Sequence, residues 1–95
     1  MKQIELKDIE YNKEYITAYK TTHGTWEPVI VYKRIQENFY PGFITKEGVE
    51  MSWINLLVER RGTDMFGLKI TYLCVFDSYM QAVEWCDFEK KINNI

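Results

Sequence analysis

Apolar and polar residues alternate along residues 15–21 (YITAYKT) and 29–35 (VIVYKRI), and both stretches are rich in β-branched and aromatic side chains. That period of two is the signature of a half-buried β-strand. Between them lies His23-Gly24-Thr25-Trp26-Glu27-Pro28, whose glycine and proline predict the turn of a β-hairpin. Further turn signals stand at Asn38-Phe39-Tyr40-Pro41-Gly42, where Pro-Gly favours a reversal, and at Glu47-Gly48. Residues 68–76 (LKITYLCVF) make the clearest strand, with Leu68, Ile70, Tyr72, Cys74 and Phe76 on one side and Lys69 and Thr71 on the other. Residues 53–60 (WINLLVER) read two ways. As a strand they set Ile54, Leu56 and Val58 against Trp53, Asn55, Leu57 and Glu59; as a helix their apolar residues wrap nearly all round, with Gly62 as a stop. Their composition favours the strand, which would pair with residues 68–76 across a hairpin loop. Residues 2–10 alternate at Ile4, Leu6 and Ile9, as a short entry strand or an extended lead-in.

The chain closes in a helical pattern over residues 79–92. Ser78 followed by Gln81 forms a capping box, Asp77 adds negative charge at the amino end, and Lys90 and Lys91 fall in the last turn. The fold expected is therefore α+β: an antiparallel sheet of four to five strands, in two hairpins, with the C-terminal helix packed on one face. Placed at 100° intervals, Tyr79, Met80, Ala82, Val83 and Cys86 share one arc, the natural core stripe. Trp85, Phe88 and Ile92 fall on nearly the opposite arc. A helix lying on a sheet needs one apolar side, so the second calls for an explanation. It is wrapped by the N-terminal segment or a loop, or presented to a partner protein or a second copy of the chain, or the helix ends early and its last turn frays. Leaving a large side chain in water forgoes about 1.5–3 kcal/mol, so an exposed trio marks an interface.

The loop after residues 53–60 gives a second candidate surface. Arg60 and Arg61 bring two guanidinium groups, suited to phosphate or carboxylate, to a tip carrying Asp64, Met65 and Phe66. The alternative is an ordinary hairpin with Phe66 folded back onto the sheet. His23 and Trp26 place an imidazole near an indole, unless the indole packs beneath its own turn.

Composition narrows the class. Ninety-five residues, 46% apolar and 27% charged, form one globular domain. No apolar run approaches the roughly 20 residues that span a bilayer. The start, Met1-Lys2-Gln3-Ile4-Glu5, lacks a secretory pattern, so a cytoplasmic protein with no membrane partner is expected. Twelve basic against fourteen acidic residues leave a charge of −2, unlike a duplex-binding domain. Cys74 and Cys86 read as buried reduced thiols, or as a strand-to-helix disulfide in an oxidising compartment. With the distant His23 they lack the spacing of a zinc site. Fifteen aromatics, 16% of the chain, suit either a recognition surface or an economical core.

No nucleotide-binding, nucleophile-elbow, zinc-protease or calcium-loop motif is present, and the single histidine lies in a turn. Carboxylate pairs such as Glu59 with Glu50 or Asp64 arise in any chain with this many acids. Neither catalysis nor a cofactor nor a metal is expected. The function these features favour is a small protein-binding module using Trp85, Phe88 and Ile92 or the Arg60–Phe66 tip. The alternative is a single-stranded nucleic-acid-binding domain, with sheet aromatics stacking bases and Lys33, Arg34, Arg60, Arg61 and Lys69 meeting phosphates. In its brevity, its Lys/Ile/Asn/Tyr-rich composition and its lack of catalytic motifs, the chain resembles small proteins of phages and mobile elements. That resemblance implies a stoichiometric inhibitor of host or defence machinery, anti-CRISPR proteins being one such group.

Overall fold

Alternation in the sequence becomes antiparallel pairing between neighbouring strands. The structure, a computed structural model, describes residues 1–37, 40–63, 65–67 and 69–93. Its strands are β1 (Lys2–Glu5), β2 (Tyr15–Lys20), β3 (Trp26–Glu37), β4 (Tyr40–Thr45), β5 (Glu50–Ser52), β6 (Val58–Arg61) and β7 (Ile70–Val75), followed by α1 (Tyr79–Asn93). The expected α+β class with its C-terminal helix is present, but the strands divide between two sheets. One has the order β2-β3-β4-β5 and the other β1-β7-β6. They meet along the free edge of β2. The N–H groups of Phe76 and Leu57 donate to the carbonyls of Ile16 and Ala18, each at 2.8 Å. The Thr17 hydroxyl donates to the Cys74 carbonyl at 2.6 Å. An edge that would otherwise expose unpaired backbone groups is thereby closed.

The β2–β3 hairpin follows the expected strands, but its turn is tighter than the sequence suggests. Thr21 N–H donates to Thr25 O at 2.8 Å, with Gly24 at φ +83° between them. Trp26 and Pro28 therefore belong to β3, opposite Lys20 and Ala18. Pro28 is tolerated because its nitrogen points away from β2, and β4 joins β3 only from Val31 onward. Pro41 and Gly42 likewise lie inside β4, opposite Gln36 and Ile35, after a bulge near Lys33. Pro41 and Gly42 are therefore strand residues and not the expected turn; residues 38 and 39 lie outside the described residues. Both prolines are read correctly as strand breakers only where a neighbour needs their missing N–H.

Residues 53–60 are neither wholly strand nor helix. Trp53–Asn55 forms a single 3₁₀ turn, capped by the Ser52 hydroxyl accepting from Ile54 N–H at 3.5 Å. Leu56 then drops into the core and β6 begins at Val58. The Lys2–Glu5 entry strand is real and ends in another 3₁₀ turn that buries Leu6.

The main core lies between the sheets. Tyr15, Val29, Val31 and Phe43 from the larger sheet meet Leu73 and Val75 from the smaller, with Leu6, Ile9 and Leu56 filling the ends. On β7 the inward row is therefore Thr71, Leu73 and Val75, opposite in parity to the apolar row seen in the sequence. Ile70, Tyr72 and Cys74 share the other face with Gln3, Glu59 and Arg61. Gln3 Nε2 donates to the Glu59 carboxylate across that face.

The helix covers the reverse face of the larger sheet, the side bearing Ile16, Ala18, Trp26, Pro28 and Ile30. Small sheet, large sheet and helix make three layers. At the start of α1 the Ser78 cap forms, with the return bond from Gln81 reaching Asp77, one residue before the cap, in place of Ser78 itself. Ser78 Oγ accepts from Gln81 N–H at 3.2 Å, and Gln81 Oε1 accepts from Asp77 N–H at 3.1 Å.

Candidate interaction surfaces

The buried arc of α1 is centred on Ala82 and Cys86, both essentially without exposed surface. Tyr79 and Met80, placed in the core stripe by the sequence, are instead 48% and 65% exposed. The reason is lateral placement: α1 lies chiefly along β3 and secondarily β2, and that seat turns its first turn outward. Trp85 flanks the buried arc rather than opposing it. Its indole meets Trp26 edge-on at 5.5 Å between ring centroids and Phe76 at 6.0 Å. Phe88 follows three residues later, 59% exposed, and Ile92 one turn beyond, 47% exposed. Spacings of three and four make these three side chains neighbours on the helix surface. The strip therefore starts at an anchored indole and runs out into solvent. Lys90 ties the same end of the helix to Glu27 of β3 at 3.1 Å, and the partner carboxylate holds its ammonium above the ordinary lysine range. The N-terminal segment does not wrap this strip, because β1 pairs with β7. Nor does the helix end early, since it continues through Ile92.

The β6–β7 hairpin presents the second surface. Met65 and Phe66 are 89% and 81% exposed, so Phe66 is not buried against the sheet. Asp64 lies outside the described residues, as does Leu68. Arg60 places its guanidinium 5.0 Å from the Trp53 ring centre, and Arg61 sits 4.5 Å from that of Tyr72 with its Nε 3.6 Å from Glu59. Stacking of this kind fixes a guanidinium plane while leaving N–H donors at its edge. The hairpin tip and the α1 strip belong to different layers, so they are two surfaces and not one.

A third feature escaped the sequence. Tyr40 stacks on Trp53, ring centroids 4.4 Å apart and planes within 14°. The pair lines a groove of about 280 Å³ together with Arg34, Ile35, Glu50 and Ser52. It forms where β3, β4 and β5 extend beyond the part of the sheet that α1 covers. Reading Tyr40 as part of a turn concealed it. What brings the two rings together is the pairing of Gly42 with Ser52, a strand register that sequence periodicity does not supply.

The remaining candidates are structural. His23 is exposed in the β2–β3 turn, while Trp26 faces the helix, so imidazole and indole do not form a joint site. Cys74 and Cys86 are buried free thiols, and burial raises both, Cys86 to about 11. Tyr32, whose hydroxyl donates to Glu14 at 2.5 Å, is raised by that hydrogen bond. Among the described residues no group of three or more His, Cys, Asp or Glu is placed to hold a metal, and no helix is long and apolar enough to cross a membrane. Comparisons with protein-family models, with curated proteins and with solved structures return no match to this chain.

Proposed function

We propose that this domain is a protein-binding module of the cytoplasm that acts by occupying a partner's surface, as a stoichiometric inhibitor acts, and not by catalysis. The observation that carries the reading is the strip on α1. Phe88 and Ile92 stand in solvent on a helix whose inner arc is already filled, next to a Trp85 ring held by Trp26 and Phe76. Each about half exposed, together they forgo about the ~1.5–3 kcal/mol that full burial of one such side chain supplies, and a partner returns that term on binding. An aromatic anchor with a restrained rotamer loses little entropy on docking. Met65 and Phe66, between stacked Arg60 and Arg61 and the rest of the loop, serve as a second contact. The inhibitor role rests on the size and composition shared with small proteins of phages and mobile elements.

Affinity capture with mass spectrometry tests it. The tagged chain, a Phe88→Ser/Ile92→Ser variant and a Met65→Ser/Phe66→Ser variant are compared after circular dichroism has shown each to be folded. The reading expects a stoichiometric partner that the parent retains and the helix variant loses, with affinity down at least about tenfold. Identical captured sets for parent and helix variant, or no specific partner, would contradict it.

A further inference from the structure

The groove beside Tyr40 combines features that neither α1 nor the hairpin tip shares. Its floor is a near-parallel aromatic pair, Tyr40 on Trp53, which offers a flat ring at an exposed position. Arg34 lines the groove, and Arg60 lies over the other partner of the stack. Among the described residues neither guanidinium has an ion-pair partner, whereas Arg61 has Glu59. Glu50 and Ser52 complete the rim with a carboxylate and a hydroxyl.

A ligand matching this set needs a flat π-face, a negative group for arginine and a donor for Glu50. A peptide carboxylate satisfies Arg34 but meets Glu50 as a like charge. A nucleotide whose base bears an exocyclic amine satisfies all three. Its base stacks on tyrosine, its phosphate takes the guanidinium donors, and its amine donates to the Glu50 carboxylate. We infer that this groove is a subsite for one unpaired cytosine, adenine or guanine nucleotide of a single-stranded nucleic acid, stacked on Tyr40, with its phosphate met by Arg34. Duplex is excluded from it because a paired base hides its face in the stack. With a net charge of −2 the chain adds little general attraction, so the affinity depends on these few groups and on salt.

Fluorescence anisotropy of a short labelled oligo(dC) with the full chain tests the site. Binding is expected at low salt, with log K falling against log salt at a slope near −0.7, for the one phosphate at Arg34. Arg34→Ala, at an exposed position, reduces that slope by about 0.7 while the fold is retained. Tyr40→Ala weakens binding about 5- to 150-fold at an unchanged slope, and Tyr40→Phe binds like the parent. Absence of binding at low salt overturns the inference. So does binding that Arg34→Ala and Tyr40→Ala leave unaltered, which would belong to the surface at large. No protein partner enters the assay, so its failure leaves the protein-binding proposal standing.

Discussion

Thr17 is a polar side chain with no exposed surface, and its hydroxyl bonds to the Cys74 carbonyl where the two sheets meet. Valine has nearly the same shape and no donor. Thr17→Val is expected to lower the unfolding free energy by about 1–2 kcal/mol in urea titration, because a buried carbonyl loses a partner. A change below about 0.5 kcal/mol would mean that the backbone bonds from Phe76 and Leu57 hold the junction alone. Cys86 makes a prediction about pH. Burial moves its thiol from an ordinary 9.0 up to about 11. Above the ordinary value the unfolded chain releases this proton while the native chain keeps it. The stability that the neutral thiol contributes is therefore complete below pH 9 and is lost as pH rises to about 11. Unfolding titrations across that window should give a shallower decline for Cys86→Ala than for the parent. Equal slopes would place the thiol in contact with water. The burial of Cys86 was legible in the sequence, which marks it as an apolar helix position, but nothing there reveals that Thr17 lies opposite a carbonyl distant in the chain.

Elements set by local signals were legible, and those set by neighbours were not. The helix announces both ends through Ser78, Gln81 and the terminal lysines, and it forms where those residues require. Ser78→Ala should cost about 1 kcal/mol by thermal or chemical unfolding, since it removes the bond to Gln81 N–H. The first hairpin is legible for the same reason, in its alternation and its glycine turn. Pro41-Gly42 shows the opposite case. In isolation the pair favours a turn, yet the Glu37–Tyr40 pairing carries it into β4. Gly42 is needed there for space: a Cβ would stand 2.5 Å from Ile35 Cγ1. Gly42→Ala should therefore destabilise by about 1 kcal/mol, with Ile35→Ala in the same chain relieving most of it. If the double variant is no better than the single, the cost lies in the backbone. The Trp53–Asn55 turn was hidden because its apolar residues serve three surroundings. Leu56 enters the core, Trp53 stacks on Tyr40, and Ile54 faces solvent.

At the scale of the whole molecule, three layers leave some large apolar side chains uncovered. The surplus on the helix was partly visible in the sequence as two apolar arcs. The arc of Ala82 and Cys86, placed in the core stripe by the sequence, is buried. The outward turn of Tyr79 and Met80 and the packing of Trp85 depend on the seat of α1 over β3 and were not legible. That seat buries Ala82 and Cys86, draws Trp85 against Trp26, and turns Tyr79 and Met80 outward along with Phe88 and Ile92. The Tyr40 groove is a consequence of the same geometry, since the helix shelters only the β2–β3 half of its sheet. The central claim is that Phe88 and Ile92 are surplus to folding, whereas Trp85 is not. The most direct measurement is the unfolding free energy of Phe88→Ser/Ile92→Ser beside that of Trp85→Ala under one set of conditions. The account predicts a change within about 0.5 kcal/mol for the double variant, as for open surface positions, and a loss of about 2 kcal/mol or more for Trp85→Ala. A double variant that loses as much as Trp85→Ala would put Phe88 and Ile92 inside the fold and contradict it.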